Sequence, residues 1–136
     1  MYRKLIRLPT FSRGSHLITD IILSNLSEIR TVECGMLNLF LQHTSAAISI
    51  NENADSRVPG DLAMGLDRVV PESWPYEHDD EGPDDMPAHL KSTLVGASLN
   101  IPIGNGRCLL GTWQGIYLLE FRNAPHSRQL IATIMS

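Results

Sequence analysis

The sequence predicts a single-domain α+β protein in which a mainly antiparallel, sandwich-like β-sheet packs against about three helices. Apolar residues recur at every second position near both ends of the chain, as in strands, and at helical spacing in between. These patterns do not follow the regular strand–helix alternation of a parallel sheet. A length of 136 residues with 43% hydrophobic side chains fits one globular domain, residues 1–136.

The first thirty residues predict a strand and a helix. Residues 2–8 alternate in polarity as a strand does, and residues 12–15 are expected to turn the chain. Helical spacing then runs from Thr19 to Arg30, with Thr19 or Asp20 as a suitable cap. The apolar positions of this predicted helix are Ile22, Leu26 and Ile29.

Two strands are predicted next, at residues 35–42 and 46–50, because both segments are rich in β-favouring residues. His43 then lies just past a strand end. A period of two places it on the same face as an apolar row, so we expect the imidazole to point inward. That row consists of Leu37, Leu39 and Leu41.

Two more helices flank a long loop in the middle of the chain. Asp55 can cap a helix whose apolar stripe contains Leu62, Leu66 and Val69 or Val70. Residues 71–85 carry prolines and glycines without sustained periodicity and read as a loop, one long enough to be functional. The last helix covers residues 86–95, with Asp84 or Asp85 as its cap and Gly96 as its stop.

The last forty residues predict a β-meander. Its strands are expected at residues 98–103, from 107 or 109 to 122, and at 129–135, with a turn at 104–106. The final strand is apolar on both faces, which suits either a central strand or one covered by a partner subunit.

Charge and hydropathy exclude two classes of partner. The net charge is -4 and no basic run could neutralise a row of phosphates, so nucleic acid is not expected as a partner. No apolar run approaches the ~20 residues that cross a bilayer, so a soluble, cytoplasmic protein is expected. Cys34 and Cys108 are too few for a disulfide framework and are expected to be free thiols.

Three histidines, His43, His78 and His89, are the main candidates for chemistry. Neutral imidazole is a common zinc ligand, and three protein ligands plus an open position is the pattern of catalytic zinc. Six carboxylates crowd into the nine residues from Glu77 to Asp85. Such density indicates either a cation site or a helix cap with a solvated acidic loop, and the sequence leaves both open.

Other polar residues offer weaker indications. Glu52, between two asparagines, could serve as a general base or belong to a plain turn. Arg13 and Lys91 are isolated cations that could meet a phosphate. Glycines on both sides of Trp113 allow close approach of a ligand, although core packing of the indole explains the tryptophan equally well.

Four motifs together resemble the YjbQ-like family, also called the secondary thiamine-phosphate synthase family. They are Gln-His-Thr-Ser-Ala at 42–46, Asn-Glu-Asn at 51–53, Glu-Gly-Pro-Asp-Asp-Met-Pro-Ala-His-Leu-Lys at 81–91 and Gly-Thr-Trp-Gln-Gly-Ile at 111–116. Their joint occurrence in this order is specific, and the resemblance covers nearly the whole chain.

The resemblance implies a compact α+β homotrimer whose pocket holds a divalent metal, with zinc as first choice, at His43, His78 and His89. It also implies polar site residues at Glu52, Asn53, Asp85 and Gln114. The implied activity joins a pyrimidine diphosphate to a thiazole phosphate, giving thiamine phosphate, and Lys91 or Arg13 would help to hold the departing diphosphate. Cys34, Cys108 and His126 match no motif position.

Two other functions remain open at the level of sequence. One is metal-assisted hydrolysis of a phosphoester, with Glu52 as base and a bound water as nucleophile. The other is a non-catalytic binding module whose structural metal is closed by a fourth protein ligand, for which His16 is a candidate.

Overall fold

Two antiparallel sheets form the computed structural model, which describes residues 1–136. The larger sheet has the strand order β1-β8-β3-β5-β6 and the smaller one β2-β7-β4. With three α-helices and one 3-10 helix, the expected α+β class is confirmed. The strands are β1 (Tyr2–Phe11), β2 (Gly14–Leu17), β3 (Cys34–Leu41), β4 (Ala46–Glu52), β5 (Ser98–Gly104), β6 (Arg107–Cys108), β7 (Gln114–Glu120) and β8 (His126–Met135); the helices are α1 (Thr19–Ser24), α2 (Val58–Val69), α3 (Asp85–Val95) and the 3-10 helix Ser27–Thr31.

The smaller sheet is the middle layer of the molecule. One of its faces packs on the larger sheet in a cluster of 19 buried hydrophobic residues, to which β4 contributes Ile48 and β7 contributes Leu118. Its other face packs on α3 through a second cluster: Ala47, Ala88, Tyr117, Leu119 and Phe121. Strand β7 is therefore apolar on both sides because both of its faces are covered.

The helix predicted over residues 19–30 is broken into two short pieces. Asn25 Nδ2 donates to the Ile21 carbonyl oxygen at 2.8 Å, and Leu26 leaves the helical region with φ -128° and ψ 56°. Asparagine competes for backbone groups in this way, so a helix tends to end beside it. The three predicted apolar positions are nevertheless all buried: Ile22, Leu26 and Ile29.

The predicted caps use their side chains elsewhere. Thr19 Oγ1 accepts the backbone N–H of Ile116 at 2.8 Å and so ties α1 to β7. The Asp55 carboxylate accepts the Arg57 N–H at 2.9 Å, and α2 begins only at Val58. The third helix lies where it was predicted, and Gly96, with φ +108°, ends it as expected.

The predicted β-meander is wrong. Only the hairpin of β5 and β6 connects neighbours in sequence, through a turn in which Asn105 and Gly106 have positive φ. Gln114 Oε1 accepts the Gly111 N–H at 2.8 Å in a turn that interrupts the predicted long strand. After it, β7 joins the smaller sheet, while β8 returns to the larger sheet between β1 and β3. The segment 12–15, expected as a turn, includes the start of β2.

Neither cysteine is in a disulfide. None of the helices is both long and apolar enough to span a membrane.

Candidate metal centre

Three side chains from the long loop and from α3 converge at one point. His78 Nε2 lies 2.8 Å from Asp85 Oδ2, and His89 Nε2 lies 3.2 Å from the same oxygen. Asp85 and His89 are four residues apart and thus occupy one face of α3. Two imidazole nitrogens and a carboxylate oxygen are typical ligands of zinc and related divalent metals.

Asp85 is nearly inaccessible to solvent and is held in place by Arg122. Arg122 Nη1 donates to Asp85 Oδ1 at 2.7 Å, and its Nε donates to Asp84 Oδ2 at 2.8 Å. Burial by itself would raise the pKa of Asp85, but the hydrogen bond with His78 and the charges of His89 and Arg122 bring this pKa below its usual value. The side chain is therefore a carboxylate at neutral pH.

The hydrogen bonds of His89 fix which ring nitrogen is free. Its Nδ1 lies 2.8 Å from the Thr44 carbonyl oxygen, which can only accept, so Nδ1 carries a proton. In the neutral ring, Nε2 then presents a lone pair to Asp85 Oδ2. Two acceptors facing each other at 3.2 Å require a proton or a cation between them. The second hydrogen bond of a metal-bound imidazole commonly goes to a carbonyl oxygen, so these residues fit a metal.

His78 is the most exposed member of the group. Its hydrogen bond to Asp85 raises its pKa, and the charges of Asp80 and Glu81 act in the same direction. Glu81 Oε2 lies 3.1 Å from His78 Nε2. Of the crowded carboxylates, Asp85 belongs to the convergence. The expected side-chain cap of α3 is wrong: Asp84 is the N-cap residue, but it makes no capping hydrogen bond, and its buried carboxylate accepts from Arg122 and from the Asn123 N–H.

His43 lies on the same depression but outside this convergence. The depression is open, has a volume of about 730 Å³, and is also lined by His78, His89 and Met86. His43 is half-buried and lines this space, so the expectation that its imidazole points inward is met only in part. Its Nε2 accepts the backbone N–H of Gln129 at 2.9 Å.

Lys91 and Arg13 do not reach the histidines. Lys91 is 1% exposed, its ammonium binds Asp67, and it stands 5.5 Å from the centroid of the Phe121 ring. A spacing of two residues places Lys91 on nearly the opposite side of α3 from His89. Arg13 binds the same Asp67 at 2.9 Å. The predicted phosphate-holding role of the two cations therefore has no support in their position.

The remaining predicted site residues form a separate group at the far end of β4. Glu52 is paired with Gln114 of β7, and Asn53 Nδ2 donates to the Gln114 carbonyl oxygen at 3.1 Å. Six residues of extended chain separate Glu52 from Ala46, near the histidine end of the strand, a distance of about 20 Å. Within one chain, the predicted site is thus divided between two places.

Gly115, one of the glycines near Trp113, allows neighbouring parts of the protein to pack closely. The indole is 64% exposed, so its explanation as a core residue is wrong. A Cβ at Gly115 would lie 2.7 Å from Leu17 Cδ2 and 2.9 Å from Asn53 Cβ. Close approach does require glycine here, but the neighbour that approaches is the protein itself.

Sequence reasoning missed Arg122 and the Thr44 carbonyl as parts of the centre. Arg122 follows β7 without a recognisable pattern, and only tertiary structure brings it to Asp85. His16, considered as a fourth ligand, stacks on Phe11 with its Nε2 2.6 Å from the Ser12 carbonyl oxygen. It does not belong to the group His78, Asp85 and His89.

Comparison with known proteins places this geometry in a family. A family model described as "UPF0047 protein YjbQ-like" matches residues 4–136. The UPF0047 protein YjbQ of Escherichia coli O157:H7 is 49% identical over 133 residues, which are 98% of this chain and 96% of that protein. A UPF0047 protein of Methanocaldococcus jannaschii is 42% identical over 87% of this chain and 82% of its own.

Solved structures agree with the fold. An uncharacterized conserved protein of the YjbQ/UPF0047 family from Clostridium acetobutylicum has a TM-score of 0.85 and 38% identity, covering 97% of this chain and 99% of its own. A hypothetical protein from Aeropyrum pernix K1 has a TM-score of 0.88 at 29% identity, covering 100% of this chain and 99% of its own.

Proposed function

The chain belongs to the UPF0047 family of YjbQ-like proteins, and from that premise we propose that it is a metal-dependent enzyme acting on a phosphorylated small molecule. The named case is thiamine-phosphate synthesis, the activity implied by the sequence resemblance. In that reaction a carbon–nitrogen bond forms between the pyrimidine methylene and the thiazole nitrogen, while the carbon–oxygen bond to diphosphate breaks and the diphosphate leaves.

One observation carries the proposal: His78 and His89 both direct Nε2 at the same oxygen of a buried carboxylate, 2.8 and 3.2 Å away, on an open depression. Arg122 pairs with Asp85 Oδ1, so Oδ2, between the two imidazole nitrogens, is the oxygen available to a metal. Three protein ligands leave a coordination position for water or substrate, as in catalytic zinc sites.

The residues of the centre have separate roles in this proposal. His78, Asp85 and His89 hold the ion, Arg122 orients Asp85, and the Thr44 carbonyl holds the tautomer of His89. A divalent ion bound there, with zinc as first choice, would supply positive charge to phosphate oxygens and to a departing diphosphate.

Substitution of a proposed ligand tests the function. We expect His89→Ala to lose metal and turnover together, as measured by mass spectrometric metal analysis of protein purified without added metal or chelator. Turnover is followed with the pyrimidine diphosphate and the thiazole phosphate. The matched control is His16→Ala, which removes an imidazole outside the centre and should retain both properties. Full activity in His89→Ala would refute the mechanism.

Phosphoester hydrolysis is the alternative enzyme function. Its predicted base, Glu52, lies about 20 Å along β4 from the histidine end, so one chain does not bring base and metal ligands together. Parallel assays with p-nitrophenyl phosphate and with the thiamine precursors separate the two reactions. Hydrolysis that persists without the thiazole would favour the alternative.

A non-catalytic metal module would need a closed coordination shell. His16, the predicted fourth ligand, is engaged with Ser12 and Phe11 and lies outside the group His78, Asp85 and His89, which supports an open shell. A metal-loaded structure decides this point, because a fourth ligand from the protein would argue against catalysis.

We further propose that the protein is a homotrimer and that it works in the cytoplasm. Leu5, Ile131 and Phe40 are neighbours across three strands on the outer face of the larger sheet, and Leu5 and Phe40 are 41% and 48% exposed. Such an apolar row suits a subunit contact. Free thiols suit a reducing compartment. A light-scattering mass of three subunits is expected, and a mass of one subunit would reject the trimer.

A further inference from the structure

His43 and His89 face the same depression with opposite hydrogen-bonding character. The backbone N–H of Gln129 donates to His43 Nε2 at 2.9 Å. A nitrogen that accepts a hydrogen bond carries no proton, and here its lone pair is already used. The neutral His43 ring therefore has its proton on Nδ1, and its accessible nitrogen is a donor.

The free nitrogen of His43 has no partner inside the protein. The bond to Gln129 is the only hydrogen bond of this ring. Nδ1 has no hydrogen-bond partner and is not fully buried, and the His43 side chain lines the depression. In His89 the nitrogen that meets a backbone group is Nδ1, and Nε2 faces Asp85 Oδ2 at 3.2 Å. The two rings are thus the same tautomer but expose different atoms.

The surroundings of His43 favour the neutral ring. Partial burial lowers the pKa of His43, and the positive charge of Arg128 lowers it further. The charge of Glu120 raises this pKa, whereas His126 lowers it, and the net shift is downward. Arg128 cannot move away easily, because its guanidinium donates to both oxygens of the buried Glu120 and to Ser45 Oγ.

We infer that His43 is not a metal ligand but the neutral N–H donor that binds a phosphate oxygen of the molecule occupying the depression. This inference rests on the proposed function for the nature of that molecule, whereas the state of the ring rests on the Gln129 contact alone. Phosphate oxygens are acceptors, so a phosphate in the depression could bind the N–H of His43 as well as an ion that His78, Asp85 and His89 would hold. The third metal ligand is then Asp85 in place of the predicted His43.

Nitrogen NMR of the wild-type protein tests the ring directly. In protein labelled with ¹⁵N-histidine, long-range ¹H–¹⁵N spectra should show His43 protonated at Nδ1 and unprotonated at Nε2. Zinc added alone should shift Nε2 of His78 and His89 but leave both nitrogens of His43 in place. Inorganic phosphate added to metal-free protein should shift Nδ1 of His43. A zinc-induced shift at a His43 nitrogen, or no response to phosphate, would overturn the inference.

Two substitutions at His43 give a second measurement. Asparagine keeps an N–H donor near the position of Nδ1, whereas leucine removes it. We expect His43→Asn and His43→Leu to retain the wild-type zinc content, and His43→Leu to bind inorganic phosphate about tenfold more weakly than His43→Asn. Loss of zinc in His43→Asn, or equal phosphate affinity in the two variants, would contradict the assignment.

Failure of the proposed function gives a different result. If the wild-type protein takes up no zinc, the metal-dependent mechanism fails. The phosphate titration of His43 uses metal-free protein, so it still supports or overturns the inference in that case.

Discussion

At the scale of single residues, each of the three pocket histidines is defined by the partner of one ring nitrogen. The Thr44 carbonyl makes His89 a lone-pair donor, the Gln129 N–H makes His43 an N–H donor, and Asp85 favours the protonated form of His78. Identical side chains therefore have different chemistry within one depression, because their backbone and carboxylate neighbours differ.

The raised pKa of His78 predicts pH-dependent metal binding. A proton on His78 competes with the metal, and the hydrogen bond to Asp85 raises the pKa of His78 above its ordinary value of 6.5. We therefore expect zinc affinity to increase as the pH rises through 6.5 and to level off only above the raised pKa. Competition titrations with a zinc chelator between about pH 6 and 8.5 measure this, and an affinity independent of pH would contradict it.

The group of Glu52, Asn53 and Gln114 lies apart from the histidines, so substitutions in this group should not change metal binding. Asn53 lies beyond the end of β4 that is remote from the histidines, so Asn53→Ala should leave the metal content unchanged. Metal analysis of this variant beside His89→Ala is the measurement. Loss of metal from Asn53→Ala without loss of folding would show that the two groups share one centre.

At the scale of elements, short backbone contacts decide where strands and helices end. The β5–β6 turn is bonded to the segment just after the 3-10 helix, since the backbone N–H groups of Asn105 and Gly106 donate to the carbonyl oxygens of Glu33 and Val32. A Cβ at Gly106 would lie 2.6 Å from the Arg30 carbonyl oxygen, and its φ of +76° is unfavourable for other residues. This hairpin therefore depends on one glycine.

A pair of glycine substitutions tests this dependence. We expect Gly106→Ala to lower the free energy of unfolding by about 1–3 kcal/mol, because strain and backbone overlap act together. Gly60 lies in α2 with open space around its Cβ position, so Gly60→Ala should raise stability by about 0.5–1 kcal/mol. Urea unfolding measures both, and equal effects of the two substitutions would refute the argument.

At the scale of the whole molecule, a buried ion pair joins the two sheets. Glu120 ends β7 of the smaller sheet, Arg128 lies on β8 of the larger one, and their closest atoms, Oε2 and Nη2, are 2.6 Å apart. Arg128 also donates to the Ser45 carbonyl oxygen and to Ser45 Oγ, and so fixes the segment that carries His43 and Thr44. The same ion pair therefore joins the two sheets and holds the segment beside the depression in place.

Removing one partner of this ion pair should lower the free energy of unfolding more than removing both partners. Glu120→Leu leaves the Arg128 charge buried without its partner, and we expect a loss of about 3–5 kcal/mol. The double variant Glu120→Leu with Arg128→Leu should recover most of that loss, because no unpaired charge remains buried. Calorimetric unfolding of the three proteins measures the effect, and a double variant no more stable than the single one would contradict it.

The sequence by itself determined the fold class and most strand positions, and it singled out His78 and His89 as candidate metal ligands, but it gave the third place to His43 rather than to Asp85. The period-two patterns of the strands and the helical spacing of residues 86–95 are local properties of the chain, so they can be read from the sequence. The motif at 81–91 contains Asp85 and His89, whereas His78 precedes it. Strand order was decided only by the tertiary structure, because Gln114 and its turn send β7 into a different sheet from β6.

The same holds for the roles within the centre. Whether an imidazole offers a lone pair or a proton depends on which backbone group touches its other nitrogen, and those groups, Thr44 and Gln129, are 45 and 86 residues away from their histidines. Likewise, the burial of Lys91 against Asp67 and the distance between Glu52 and the histidines follow from packing of α3 and from the length of β4. The spacing of residues in the sequence gives neither the direction in which a side chain points nor how deeply it is buried, so these features depend on the folded structure.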